Sequence, residues 1–185
     1  MSNSLPLDEM KLTMNRKLPL LALALIILSA CGVRWQTLDE TGFTVQMPGT
    51  PNKQTRSANA PTGSTTINTY SAEAQGEAFI VSYKEYTAEM ADTASSDPEQ
   101  FLNMASQSAV HNVDGKITGQ RSVTLNGKPG KEIVGNTTKP QEGTFIARIY
   151  WDSPRLYQVL YLRPEGAAVS ENGEKFLNSF QLTGK

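Results

Sequence analysis

One histidine and one cysteine, His111 and Cys31, bound the chemistry open to this 185-residue chain. A structural zinc site takes four ligands, chiefly Cys and His, and the sequence offers His111 no second His or free Cys beside it. Its place in the last turn of a helical stretch suits another role, since a partly charged ring there meets the negative end of the helix dipole. A serine nucleophile on a strand-to-helix elbow would carry G-x-S-x-G, and neither that pattern nor S-x-x-K nor H-E-x-x-H occurs. Gly127-Lys128-Pro129-Gly130 is glycine-rich but runs from one strand into another, which makes it a hairpin rather than a phosphate loop. Asp92, Asp97 and Glu99 cluster before a helix. Their spacing matches no EF-hand, and carboxylates there cap the helix and complement its positive end. Glu132 and Asp152 are the remaining candidate acid/base pair, and nothing local sets their separation.

Tyr150, Tyr157 and Tyr161 are the set most suited to binding. On two strands joined by a short turn they share one sheet face, with Arg148 and Arg163 at the same parity. An aromatic surface edged with cations fits an acidic or planar ligand. The competing account is that the rings pack beneath a helix, their hydroxyls reaching the rim. No metal and no cofactor is expected.

The elements that would carry these residues begin with a segment that is not part of the fold. Lys11, Arg16 and Lys17 precede an apolar run from Leu18 to Leu28, and small residues follow. That order of basic, apolar and small segments is the layout of a secretory signal. The run is too short to span a bilayer, which takes roughly 20 residues as a helix, and it has no polar face for a core helix. Asp8 and Glu9 fit a signal poorly, so residues 1–9 read as a start-site error, with Met10 or Met14 as the true start. Leu28-Ser29-Ala30-Cys31 resembles the lipobox of bacterial lipoproteins, in which the cysteine is diacylated before cleavage in front of it. The resemblance implies residues 1–30 as signal peptide and Cys31 as an acylated and palmitate-bearing N-terminus; residues 31–34 then read as a short tether to the first strand, and residues 35–185 have the length of one domain. The dual acyl chains give the anchoring that one chain cannot. The rival is a soluble secreted protein with Cys31 as an incidental thiol. Gly32 lacks the aspartate associated with inner-membrane retention, which favours the periplasmic face of the outer membrane in a Gram-negative cell. The tether is short enough to bring Trp35 or its neighbours near the headgroups.

The signal holds three of the 17 Lys and Arg and two of the 18 Asp and Glu, leaving the rest at a formal −2. With no basic run, nucleic acid is not an expected partner. An acylated Cys31 leaves no thiol for a disulfide, so stability comes from apolar burial.

Phe43, Val45 and Met47 alternate as a half-buried strand that Pro48 stops. Residues 64–74 and 77–86 read as a hairpin closed at Gln75-Gly76. Ser96-Asp97-Pro98-Glu99 starts a helix that Asp114-Gly115 ends, with Gly115 as the left-handed cap. Asn126-Gly127 closes a second hairpin, Asp152-Ser153-Pro154 a third, and a last helix fits Ser170 to Phe180. Residues 144–151 and 155–163 are apolar on both faces, which requires cover on both. The fold class that follows is α+β: a mainly antiparallel sheet with helices on both faces, an α/β/α sandwich.

The order of these features resembles the PsbP-like (Mog/PsbP) fold over nearly all of the chain after the signal. The helix starting at Asp97-Pro98, the hairpin LNGKPGKEI, the strands FIARIYW and LYQVLYL, and the closing EKFLNSFQL carry the likeness, with GFTVQMPGTP near the start. It is most similar to small bacterial lipoproteins of DcrB type. The fold has no shared catalytic residue to carry over, and fold alone does not license a function. The resemblance implies a non-enzymatic, lipid-anchored envelope module that binds or assembles with an envelope protein. A small-molecule-binding lipoprotein serving an envelope transporter is the second reading, and an envelope hydrolase the third.

Overall fold

The computed structural model describes residues 32–60, 63–111, 113–138 and 142–184, so the signal-like run and Cys31 lie outside what it describes. Alternation becomes a buried face first in Phe43–Pro48, where Phe43, Val45 and Met47 are all at most 1% exposed. That strand, β2, pairs antiparallel with β1 (Trp35–Glu40) on one edge and with the two-residue β10 (Gln181–Leu182) on the other. These three form a small sheet of their own.

The second sheet has seven strands in the order β3-β4-β5-β9-β8-β7-β6, every neighbouring pair antiparallel. They are β3 (Asn52–Ala60), β4 (Gly63–Ala74), β5 (Glu77–Glu85), β6 (Lys116–Leu125), β7 (Lys128–Thr137), β8 (Gly143–Asp152) and β9 (Arg155–Pro164). Two hairpins close as the sequence predicts. Gln75-Gly76 and Asn126-Gly127 both place two successive residues at positive φ, the turn whose twist matches that of the strands it joins.

Helices α1 (Ala88–Ser96) and α2 (Pro98–His111) are inserted between β5 and β6. At the start of α2, Asp97 Oδ1 accepts from the Gln100 amide at 3.0 Å and Pro98 takes the first helical position, where a missing N–H costs nothing. The helix ends differently from expectation. Asp114, not Gly115, takes the left-handed conformation, with φ of 45°. Gly115 is needed for space instead, since a Cβ there would meet the Asn136 carbonyl oxygen at 3.0 Å and the Phe145 ring at 3.1 Å. Helix α3 (Glu171–Ser179) is capped by Ser170, whose Oγ accepts from the Gly173 amide at 3.0 Å.

Parity on the central strands separates two cores. Phe145, Ala147, Ile149 and Trp151 of β8 and Leu156 of β9 pack with Ala91, Ala94, Leu102 and Val110 of α1 and α2. The opposite parity, Tyr150, Tyr157, Val159 and Tyr161, packs with β2, with Phe176 and Leu177 of α3, and with Phe180 and Leu182 just beyond it. Phe43, Phe79 and Phe176 are 0% exposed, each worth about 1.5–3 kcal/mol of burial. The class is therefore α+β with mostly antiparallel sheets. A separate sheet with one helix beside it lies over the tyrosine-bearing parity, an arrangement the strand patterns do not announce. The polar β3 and the short α1 are likewise elements that the sequence pattern leaves unassigned.

Candidate functional site

The tyrosine set shares a face, as parity requires, but that face is interior. Tyr150, Tyr157 and Tyr161 are 5%, 2% and 0% exposed. Phe180 stacks on Tyr150 at 5.8 Å, and Phe43 meets Tyr157 edge-on at 5.8 Å. Burial raises all three phenols above their ordinary pKa. The expected ligand-facing surface is thus filled by β2, Phe180 and α3, because that face of the sheet had to be covered by the chain's own apolar residues.

Arg148 works inside this layer. Its Nε donates to Glu132 Oε2 at 2.7 Å, and its Nη1 donates to the Leu177 carbonyl at 2.8 Å and Asn178 Oδ1 at 3.0 Å. A guanidinium on the last carbonyls of α3 satisfies acceptors the helix cannot. Arg121 holds the other oxygen of Glu132 at 2.7 Å. Burial works to raise the Glu132 pKa, yet the hydrogen bonds and charges of Arg148 and Arg121 outweigh it and hold the carboxyl below its usual range. Asp152 is paired elsewhere, with Lys128 at 2.7 Å. Each member of the candidate acid/base pair is therefore committed to its own cations, and neither is a free base.

Of the acidic cluster, Asp97 caps α2 and Glu99 pairs with the buried Lys131 of β7, while Asp92 lies exposed on α1. His111 is exposed in the last turn of α2. Among the described residues no three His, Cys, Asp or Glu converge as metal ligands.

Several concavities remain among the described residues, and two of them are the more apolar. One, of about 460 Å³, lies between α2 and the β4-β5-β9 face, with Met104 at its rim 59% exposed. Lys84 lies over the Tyr86 ring there at 4.4 Å, and burial lowers its pKa. The other, of about 390 Å³, lies at the end of the sheet where β5 begins and β9 finishes. Glu73, Glu77, Thr137, Gly143, Leu162 and Arg163 line it. Glu77 is 9% exposed and has both oxygens occupied: Tyr161 Oη donates to Oε1 at 2.5 Å and Ser170 Oγ to Oε2 at 2.8 Å. Arg163 is different. Its Nε and Nη1 are buried and have no hydrogen-bond partner among the described residues. Sequence parity brings Arg163 to attention beside the tyrosines, but its lack of an acceptor is a tertiary fact with no local signal.

Comparison with known proteins bears on the fold. No family model and no curated protein sequence matches the chain. Among solved structures, the solution structure of cyanobacterial PsbP (CyanoP) from Synechocystis sp. PCC 6803 is similar, with a TM-score of 0.51. It is 12% identical and the match covers 84% of this chain and 98% of that one. The fold is PsbP-like. A Pseudomonas aeruginosa protein of unknown function, PA94, matches at a TM-score of 0.32 with 10% identity, over 72% of this chain and 83% of its own. That likeness is too distant to show a fold. Among the described residues no helix is long and apolar enough to cross a membrane.

Proposed function

We propose that this PsbP-like chain is a lipid-anchored, non-enzymatic binding or assembly module of the bacterial cell envelope, of DcrB type, with helices layered on both faces of its sheet. The observation that carries the proposal is the position of Cys31. Leu28-Ser29-Ala30-Cys31 closes an apolar run, and the compact unit of the chain begins at Gly32, the very next residue. Acylation at Cys31 with removal of residues 1–30 would leave a folded unit directly behind its anchor. In a Gram-negative cell, Gly32 favours the periplasmic face of the outer membrane. Replacing Cys31 with Ser tests this: metabolic palmitate labelling should vanish, the precursor should accumulate, and no mature-size protein should sediment with membranes. Mature-size Cys31→Ser in the membrane fraction would sink the anchor.

A second reading, a small-molecule-binding lipoprotein serving an envelope transporter, is favoured by the cavity beside Arg163 and not by the closed tyrosine face. Buried cationic donors without an acceptor are the kind of polar group that fixes a ligand in a pocket.

A further inference from the structure

Arg163 Nε and Nη1 are buried donors that meet no acceptor among the described residues. A buried hydrogen-bonding group left unmade costs about 1–3 kcal/mol, and more when it carries charge. Native proteins leave few such groups, and each asks for an absent water, ion or ligand. The carboxylates around the cavity do not answer it. Glu77 has both oxygens engaged by Tyr161 and Ser170, and Glu73 is exposed at the rim. Among the described residues that line the cavity, Glu73, Glu77 and Arg163 carry the charge, so that wall is one cation against two carboxylates. A polyanion would be repelled by that wall, and a bare cation would meet the guanidinium. Leu162, Ala78 and Ile80 add an apolar strip. The complement of such a wall is a small molecule with an oxyanion and an ammonium group joined by a few methylenes, and the volume is at the small end of ligand sites.

We infer that the cavity binds a small zwitterion, with its oxyanion on the Arg163 guanidinium and its ammonium on Glu73. A phosphate or carboxylate gains charge-assisted hydrogen bonds from guanidinium donors. Glu77, fixed by Tyr161 and Ser170, adds negative field beside the ammonium without having to move. This chemistry has two sources: a free solute such as phosphoethanolamine, or the same group as a lipid headgroup. The cavity lies at the end of the sheet, and its apolar strip of Ala78, Ile80 and Leu162 has the parity opposite to Phe79, which packs against Trp35. The inference rests on the binding-module reading above and does not depend on the acyl anchor.

Calorimetric titration of the full chain in maltoside micelles tests it, with phosphoethanolamine and glycerophosphoethanolamine as probes. Saturable binding is expected, weakened about tenfold or more by Arg163→Gln and less by Arg163→Lys. The exposed Glu73→Gln, whose folding is not at risk, should weaken both probes while leaving inorganic phosphate unchanged. Glycerophosphocholine, which has no ammonium N–H to donate, should bind worse than glycerophosphoethanolamine. A tighter diester identifies the headgroup as source, and a tighter monoester identifies the free solute. No binding of either probe, or wild-type affinity in both Arg163→Gln and Glu73→Gln, overturns the inference. Loss of the anchor would show only in the fractionation of Cys31→Ser and would leave these titrations unchanged, so the two failures are distinct.

Discussion

Tyr150 and Tyr157 stand directly opposite one another on β8 and β9, and Phe180 closes over both. The Phe180 ring is stacked on Tyr150 with planes 7° apart and tilted against Tyr157 at 6.0 Å. Phe180 follows the last residue of α3, so one side chain joins helix end, small sheet and large sheet. Truncating it to Ala should cost about 3–5 kcal/mol, the range for a buried Phe with an unfilled cavity. Urea denaturation of Phe180→Ala is the measurement. A loss under 1 kcal/mol would mean that the tyrosine face is not sealed by this ring.

Gly173 and Tyr161 make a prediction of sign. In an exposed helix, replacing Gly by Ala stabilises by up to about 1 kcal/mol. Here a Cβ on Gly173 would lie inside the contact distance of the Tyr161 ring, which is itself 0% exposed and cannot retreat. Gly173→Ala should therefore lower the melting temperature despite the better helix former. Tyr161→Leu removes the hydrogen bond to Glu77 and costs stability itself, but in that background the further loss from Gly173→Ala should be smaller than in the wild type, and a stabilised Gly173→Ala would refute the packing.

What was legible in the sequence was what neighbouring residues decide. Asp97-Pro98 capping α2, Asn126-Gly127 turning a hairpin, and the two-sided pattern of residues 144–151 and 155–163 all reappear in the structure. Parity also placed Tyr150, Tyr157 and Tyr161 on one side correctly. It could not say what covers that side, because β2 and Phe180 arrive there from opposite ends of the chain. β3 was invisible for a related reason. Asn52–Ala60 is polar at nearly every position and is a strand because β4 supplies the pairing, not because one face is apolar. Burial of the Arg163 donors without an acceptor depends on the whole end of the sheet, beyond the reach of any local pattern.

Glu132, gripped by Arg121 and Arg148, makes stability depend on pH with a definite sign. Its folded-state pKa lies below its ordinary, unfolded value. The contribution is therefore present in full above that unfolded value and is lost as pH falls through the lower folded one. Glu132→Gln should destabilise at pH 7 by about 1.5–3 kcal/mol, the range for hydrogen bonds to charged groups. The gap to wild type should narrow below about pH 4, where the native carboxyl also protonates. Urea midpoints at pH 7 and pH 3 read both numbers. An equal gap at the two pH values would assign the loss to shape rather than charge.

The reach of the N-terminal tether decides what the proposed module can touch. The Gly49 amide donates to the Arg34 carbonyl at 2.6 Å, so pairing begins at Arg34 and leaves only Gly32 and Val33 free behind Cys31. At roughly 3.5 Å per extended residue, that is under about 10 Å of slack. The Trp35 ring is itself held to the domain, packing edge-on against Phe79 at 5.9 Å and carrying Lys175 over its face at 4.6 Å. Under the proposed acylation, close apposition comes from the short tether, and a flexible insertion should abolish it. A Gly/Ser linker of about 30 residues placed after Gly32 would give a root-mean-square reach of about 30 Å. Crosslinks from Lys175 to membrane-proximal partners should fall, while palmitate labelling and the melting temperature stay as in the wild type. Crosslinks and envelope phenotypes that survive the longer tether unchanged would show that apposition is irrelevant and that the ligand or partner diffuses freely.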